Sequence, residues 1–583
     1  MINSTPFSAA RDSARQSRRP VRRSALALAA VLLLSGAAAQ AQTAAPAEGA
    51  MLRLIRGLMA SGTLSQDAGQ ALLAQAQAEA LALRPAAAPA GALRPEPGDV
   101  RVPYISQTVR EQIRDEVKGQ VMAQAKAEGW AAPNETPEWS KRIRVTGDVR
   151  VRNESRFYSG NNSDIEVNWN GVNEGAGYDV NRNTNLSLPP LLNTTQDRRN
   201  SWRSRARLGV LADISETTQA GIRLASGNDD SPVSTTQTLG GGLKKKDIWL
   251  DQAWLSFKPL SWLTLTGGRF SNPFVSTDLL FSNDLNMDGV AARAEHALPG
   301  RDLSLFGSLG LIPLEYSSDS APSRSRAKMA SQNKWLLGAQ IGATWQANSE
   351  NRLRGALAYY DFRNISGELS APCALYAGAD GCSSDWSRPA TMQKGNSLML
   401  LRDIMRDPLN PANTRQPQLV GLAAEFRPLD LNLRWDSKVA GGKDLRLEAN
   451  YLRNLAYDAD KIWQRSGGAI VNKLGGEGDG RADFKSGGSA YQMQATLGKS
   501  ETLARGDWNV QLGYKYIQPD ALPDGYNDST FHLGGTNARG YYLGAAYALD
   551  KKTSFNARWT SSKEVYGAPF AVDTLQLEFN AAF

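Results

Sequence analysis

The sequence predicts an all-β fold, a transmembrane antiparallel β-barrel of about sixteen strands preceded by an N-terminal helical segment. Three observations predict it. From residue 142 onward, apolar residues alternate with charged ones at a period of two rather than 3.6. The connections between the resulting strands alternate between short and long. The longest uninterrupted apolar run of the 583 residues is the ten from Ala25 to Leu34. A spanning helix needs ~20, so any bilayer crossing has to be made by strands.

Composition narrows the classes further. At 41% hydrophobic and 21% charged, with 53 Gly and 27 Pro, the chain is expected to form a large folded body rather than a collagen-like or disordered one. Two Cys cannot staple a chain of this length. The formal charge of +8 suggests nucleic acid, but residues 1–41 alone hold six Arg against Asp12. The remainder is close to +3, which gives no reason to expect a nucleic-acid partner. That same stretch, 1–41, reads as a signal peptide: an Arg-rich start, the apolar run, then small residues with cleavage after Ala39 or Ala41. A short buried helix is the alternative.

Residues 42–99 are expected to form a helical pair plus a Pro/Ala linker. Leu52, Ile55, Leu58 and Met59, then Leu64, Ala68, Leu72 and Leu73, fall at helical spacing on either side of Ser61-Gly62. The stretch from 83 to 99 has too little apolar surface to offset the entropy of ordering. Residues 100–130 predict a periplasmic helix, with Ile105, Val109, Ile113, Val117 and Val121 four apart. A single packed helix and a self-associating coiled coil both fit that spacing, and any supercoil would be shallow or right-handed.

The barrel is assigned to 142–583. In its first strand Ile143, Val145, Gly147, Val149 and Val151 alternate with Arg142, Arg144, Thr146, Asp148, Arg150 and Arg152. The same two-sided pattern returns at Trp202 to Ile214, at Trp508 to Tyr516 and at Leu575 to Phe583. Strand starts are expected near 143, 202, 219, 248, 263, 290, 303, 335, 353, 430, 445, 490, 508, 540, 554 and 573. Between 418 and 440 either one strand or two fits, so fourteen to eighteen strands stay open. Tight turns at one end and long loops at the other are what an outer-membrane barrel shows, and sandwiches do not sort their loops that way. Trp202, Trp335, Tyr451, Tyr516 and Tyr541 near the long loops, and Trp345, Trp508 and Phe583 near the turns, suggest two interfacial belts.

The runs Lys246 to Trp254, Leu265 to Phe274, Thr277 to Leu280 and Leu285 to Ala291 carry a family likeness. Over roughly 104–583 the chain resembles the family known as putative porins of Gram-negative bacteria. The resemblance implies an outer-membrane barrel more strongly than any substrate, and it brings no residue of established role. The closing Leu575 to Phe583 resembles the C-terminal signal read by the outer-membrane assembly machinery, so that machinery and outer-membrane lipid are expected partners. Sixteen-stranded porins also suggest a homo-oligomer, with a trimer as one option.

If the apolar set faces lipid, the polar set faces the lumen, because side chains alternate along a strand. The pore-lining candidates are then Arg142, Arg144, Arg150, Arg152, Arg203, Arg205 and Arg207. Such a wall requires a wet lumen. The loop from 271 to 288 carries Asp278, Asp284 and Asp288 and no Lys or Arg, and these are the constriction-loop candidates. In the porins that this chain resembles, that loop folds into the channel, which would set acid against the Arg wall. In the alternative, the Arg residues pair locally with Asp148, Asp213 and Glu154 while the loop caps the rim. Cys373 and Cys382, with eight residues between them, are a disulfide candidate.

Enzyme chemistry has little material here. The two His, His296 and His532, cannot build an imidazole metal site, and no catalytic residue, metal or cofactor is expected. Gly498-Lys499-Ser500 lacks the upstream Gly of a phosphate loop, and Gly240 to Gly242 with Lys244 to Lys246 reads as a flexible basic loop. The acidic stretch Asp458 to Asp483 has no calcium-loop order and reads as a solvated outer loop. The sequence thus points to a channel for passive diffusion of small hydrophilic solutes or ions. A non-conducting envelope anchor working through its periplasmic helices is the alternative. A gated transporter would need an N-terminal plug domain that this chain does not resemble.

Overall fold

The computed structural model describes residues 138–583 apart from 229–230, 325, 327, 331, 440 and 473–479, and further residues 70, 74, 114–121 and 123–124. The signal peptide and nearly all of the 42–99 segment lie outside the described residues. The chain divides into Met1–Ile113 and Arg114–Phe583. Residues 70 and 74 of the first unit are helical, and in the second unit 114–121 and 123–124 are helical, within the expected 100–130 helix. A short helix at Glu138–Lys141 leads into the sheet.

Sixteen long strands follow. They are β1 (Ile143–Tyr158), β2 (Arg198–Asp213), β3 (Thr218–Ser226), β4 (Ile248–Leu260), β5 (Leu263–Ser271), β6 (Asn286–Ala297), β7 (Leu303–Glu315) and β8 (Lys334–Gln346). The second half comprises β9 (Arg352–Arg363), β10 (Pro428–Val439), β11 (Lys443–Asn454), β12 (Ser489–Gly498), β13 (Trp508–Ile517), β14 (Ala538–Asp550), β15 (Thr553–Glu564) and β16 (Ala571–Ala582). Every strand begins within four residues of its expected start. The 418–440 stretch supplies one barrel strand, β10, while Val420–Leu422 pairs with Leu398–Leu400 inside a loop.

Each strand pairs antiparallel with the next, and β1 pairs with both β2 and β16, so the sheet has no free edge. In hydrocarbon this closure is what satisfies every backbone N–H and C=O. The seam is tight at Gly147, whose N–H donates to the Phe583 carbonyl at 3.2 Å and whose carbonyl accepts from Phe583 N–H at 3.0 Å. A Cβ on Gly147 would sit 2.4 Å from the Phe583 ring, so only glycine fits there.

The alternation resolves into two faces. Val145, Val149, Leu208, Leu309 and Ile341 point outward and are 47–70% exposed, an arrangement stable only against lipid. Between them Arg150 and Arg152 point inward, with side chains 12% and 7% exposed. Trp202 and Tyr541 at the loop ends, and Trp345, Trp508 and Phe583 at the turn ends, stand on the outer face.

One end of the barrel carries the short connections, such as 214–217, 261–262 and 551–552, and the other the long ones, 159–197 and 364–427 among them. The long loops are not simply solvated. Met399, Leu401, Leu419, Val420, Ala423 and Phe426 of the 364–427 loop are buried, and Met399, Val420, Ala423 and Phe426 join one apolar core with Leu279, Leu280 and Phe281. The acidic 455–488 loop belongs to the same core through Ile462, on a helix at Ala459–Arg465, and through Ile470 and Phe484. The solvated-loop expectation fails here because Ile462, Ile470 and Phe484, separated by Gly-rich and charged stretches, give no periodic signal, yet they find a common partner.

Candidate functional site

The connection between β5 and β6, residues 272–285, turns into the barrel and is held along its inner wall. Ser308 Oγ of β7 donates to the Pro273 carbonyl at 2.9 Å. Phe274 seats over Gly310 and Gly338, where a Cβ would lie 2.9 and 2.4 Å from its ring. On β8, Gln340 both accepts from Val275 N–H and donates to the Val275 carbonyl, each at 2.8 Å. Thr277 donates to Asn450 of β11. Leu279, Leu280 and Phe281 are buried in the apolar core. The loop thus reaches across the lumen and is pinned at both ends of its span by charge.

The first pin is Asp284. Its Oδ1 lies 3.3 Å from Nη1 of both Arg205 and Arg207 on β2, and its Oδ2 accepts from Thr235 N–H at 3.3 Å and Thr235 Oγ1 at 3.1 Å. Burial works to raise its pKa, but Arg205, Arg207 and Arg150 with the Thr235 amide outweigh it and hold the carboxyl below its ordinary range. The second pin is Asp278, 2.9 Å from Lys515 of β13, which also lies 3.2 Å from Asp528. Burial pushes Asp528 up, yet Lys515, Arg558 and the Thr530 hydroxyl and amide hold it well below the usual carboxylate range.

The third candidate of the loop does not join them. Asp288 lies in β6 and pairs at 3.0 Å with Arg269 of the neighbouring β5, away from the arginines of β1 and β2. The strand simply begins earlier than the 290 expected from its apolar residues, because Asn286 and Met287 already pair with β5.

The arginine candidates divide into two groups. Arg142, just before β1, and Arg144 stand at the turn end, where Arg144 is 3.6 Å from Asp213 and more than half exposed. Arg150, Arg152, Arg203, Arg205 and Arg207 form the wall, with Arg150 directly across from Arg205 and Arg152 from Arg203. Like charges in facing positions repel, and interleaved carboxylates offset that. Asp148 lies 2.8 Å from Arg205 and 2.5 Å from Arg207, Glu578 of β16 2.5 Å from Arg152 and 3.8 Å from Arg150, and Glu154 3.6 Å from Arg203. Arg150 also donates to Thr236. Local pairing and the loop contact therefore occur together.

Glu578, Lys515, Asn450, Gln340 and Arg558 belong to this site although sequence reasoning had not singled them out as such. Glu578 and Lys515 sit on the polar side of alternating strands, which was a usable signal, but which wall each faces depends on pairing far apart in sequence. Between the loop and β1, β2, β15 and β16 there remains a cavity of about 470 Å³, bordered by Arg150, Arg152, Arg205 and Arg558 and by Asp278, Asp284 and Glu578. Cys373 and Cys382 are joined as a disulfide in the 364–427 loop, with Cα atoms 5.7 Å apart. His296 stands exposed near the end of β6, whereas His532 is buried, its Nδ1 3.1 Å from Ser562 Oγ.

A family model described as putative porin matches residues 48–583. The chain belongs to that porin family. Among solved structures, this porin is similar at 11% identity to OprB of Pseudomonas putida in its high-pH structure, covering 76% of this chain and 95% of that one, TM-score 0.39. The outer membrane channel DcaP of Acinetobacter baumannii matches at 10% identity over 76% and 97%, TM-score 0.34. OmpF of Salmonella typhi, in complex with daunomycin, matches at 8% over 76% and 97%, TM-score 0.34. No curated relative matches. The porin is an outer-membrane channel for diffusion of small solutes.

Proposed function

We propose that solutes pass through the space left between the 272–285 loop and the β1, β2, β15 and β16 wall, and that this is the narrowest charged passage. The observation that carries the reading is Asp284 in contact with both Arg205 and Arg207, with an open cavity of about 470 Å³ beside it. A carboxylate-bearing loop facing an arginine wall sets a field across the path, which orients polar solutes and selects among ions. In this reading Arg150, Arg152, Arg203, Arg205 and Arg207 line the pore, Asp278 and Asp284 constrict it, and the chain does no catalysis. Arg142 and Arg144 act at the turn-side mouth, and Asp288 is not part of the constriction.

The turn end faces the periplasm in this proposal, with the helical N-terminal segment there too, and Phe583 at the seam is what the assembly machinery reads. The porin assembles as a homo-oligomer, with a trimer as the state to test by cross-linking. A shallow apolar recess of about 890 Å³ on the lipid side, where Gly267 and Ala339 leave space between Leu255, Leu309 and Leu337, supports such packing.

Planar-bilayer recording of the purified protein tests the passage. Replacing Arg150, Arg203 and Arg205 by Glu is expected to shift the reversal potential in a salt gradient towards cations. An unchanged value would reject the lining assignment.

A further inference from the structure

A second group of arginines lies on the opposite wall, on the turn side of the inward loop, and the passage described above does not use it. Arg354 of β9 stands directly across from Arg434 of β10, and Arg293 of β6 is among its charged neighbours. With the loop residues Phe274 to Thr277 and with Asn432 and Glu448, these three bound a second cavity of about 350 Å³, which meets the first at Glu448.

The charges there do not balance. Arg434 Nε donates to Asp436 at 2.8 Å, and Arg293 lies 3.5 Å from Glu295. Glu448, across from Arg434, accepts from Gln494 Nε2 at 3.3 Å. No carboxylate lies within ion-pair distance of Arg354 among the described residues, and its Nε is buried without a hydrogen-bond partner. Its guanidinium instead stacks on Phe306, 4.8 Å from the ring centroid, which fixes the plane of the donor fork. A buried donor left unmade is costly, and two facing guanidinium groups repel. One anion placed between them, on the outer guanidinium nitrogens, relieves the repulsion.

We propose that this cavity is a binding site for a small oxyanion carrying carboxylate or phosphate groups, held by Arg354 with Arg434 and Arg293. A planar, immobilised guanidinium matches such groups through paired N–H donors. The cavity is within the size range of small-ligand sites. It makes the lumen more than a hole: an anion entering from the turn side rests there before the constriction. The site rests on the channel reading for its purpose, though not for its binding.

The test uses the full protein in detergent, with succinate and inorganic phosphate as probes in calorimetric titrations, alongside bilayer current in KCl. Arg354→Gln is expected to weaken binding of the preferred probe roughly tenfold or more, since it removes charged hydrogen bonds. Arg434→Gln should weaken it similarly. Arg199→Gln, an exposed position paired with Asp197, controls for charge alone and should bind as the parent does. Preference for succinate over phosphate assigns a carboxylate solute, and the reverse assigns phosphate. Unchanged affinity in both Arg354→Gln and Arg434→Gln, or no binding of either probe by the parent, overturns the site. Binding that falls as expected in a protein passing no KCl current upholds the site and overturns the channel reading instead.

Discussion

Asp284→Asn is the most informative single change, because it unfastens one end of the inward loop while leaving the barrel wall intact. The parent carboxylate has two arginine contacts at 3.3 Å and two from Thr235. A charged hydrogen bond contributes roughly 1.5–3 kcal/mol, and these sit at the low end because they are long and because Arg205 and Arg207 keep Asp148. Asparagine keeps its one oxygen on Thr235 only by turning an uncharged NH2 donor towards the arginine donors. The expected loss is about 2 kcal/mol, which raises the detached population of the loop roughly thirtyfold. Asp278 on Lys515 still holds the far end, so the loop loosens rather than leaves. Single-channel recording should show added open-channel noise, and the reversal potential should move towards anions because one fixed negative charge is gone. Noise and selectivity both equal to the parent's would refute the pinning argument. A double change with Arg205→Gln should cost less than the sum of the two single changes.

Other outcomes follow from the same contacts. Because the Asp284 carboxyl is held below its ordinary range, its contribution is fully present above the unfolded value of about 3.9 and is lost only as pH falls through the depressed folded value. Parent noise should therefore stay flat from neutral pH down to about 4 and rise only below it, and Asp284→Asn should show no such step. Lys515→Met removes the lysine that Asp278 and Asp528 share, and leaves Asp528 only Arg558 and Thr530. It should destabilise the protein by about 3–5 kcal/mol in denaturant titrations at neutral pH, with partial recovery on acidification as one carboxylate takes a proton. Reducing the Cys373–Cys382 bridge removes a short loop closure, worth about 2–3 kcal/mol in the chain-entropy account. Limited proteolysis should then cut between them while the KCl conductance stays unchanged.

Much of the barrel was legible because its solvent is two-faced. Lipid on one side and water on the other impose a period of two on every strand, and the turn residues set the ends, so β4, β5, β7 and β13 begin at the expected residues. Where the pattern weakens, placement drifts: β2 starts at Arg198 rather than 202 because Arg198 to Ser201 have no apolar partner to mark them. Of the site, the arginine wall and the acidic loop were visible as composition. Which acid meets which base was not, since Asp278 finds Lys515 across the lumen, more than two hundred residues away, and only closure of the sheet brings them together. The apolar core of the long loops was equally hidden, because the short runs Leu398 to Leu401 and Leu419 to Ala424 and the lone Phe484 lie in different connections, and nothing local says that they share a partner.

The strand that zips the cylinder shut is also the one that continues from the N-terminal segment. Any pull on that segment enters at Ile143 and runs along β1, whose ladder to β2 and β16 lies across the direction of pull. The rungs then share the load together in shear instead of parting one after another. A leash fastened there would hold under tension that could peel a strand away from an open sheet.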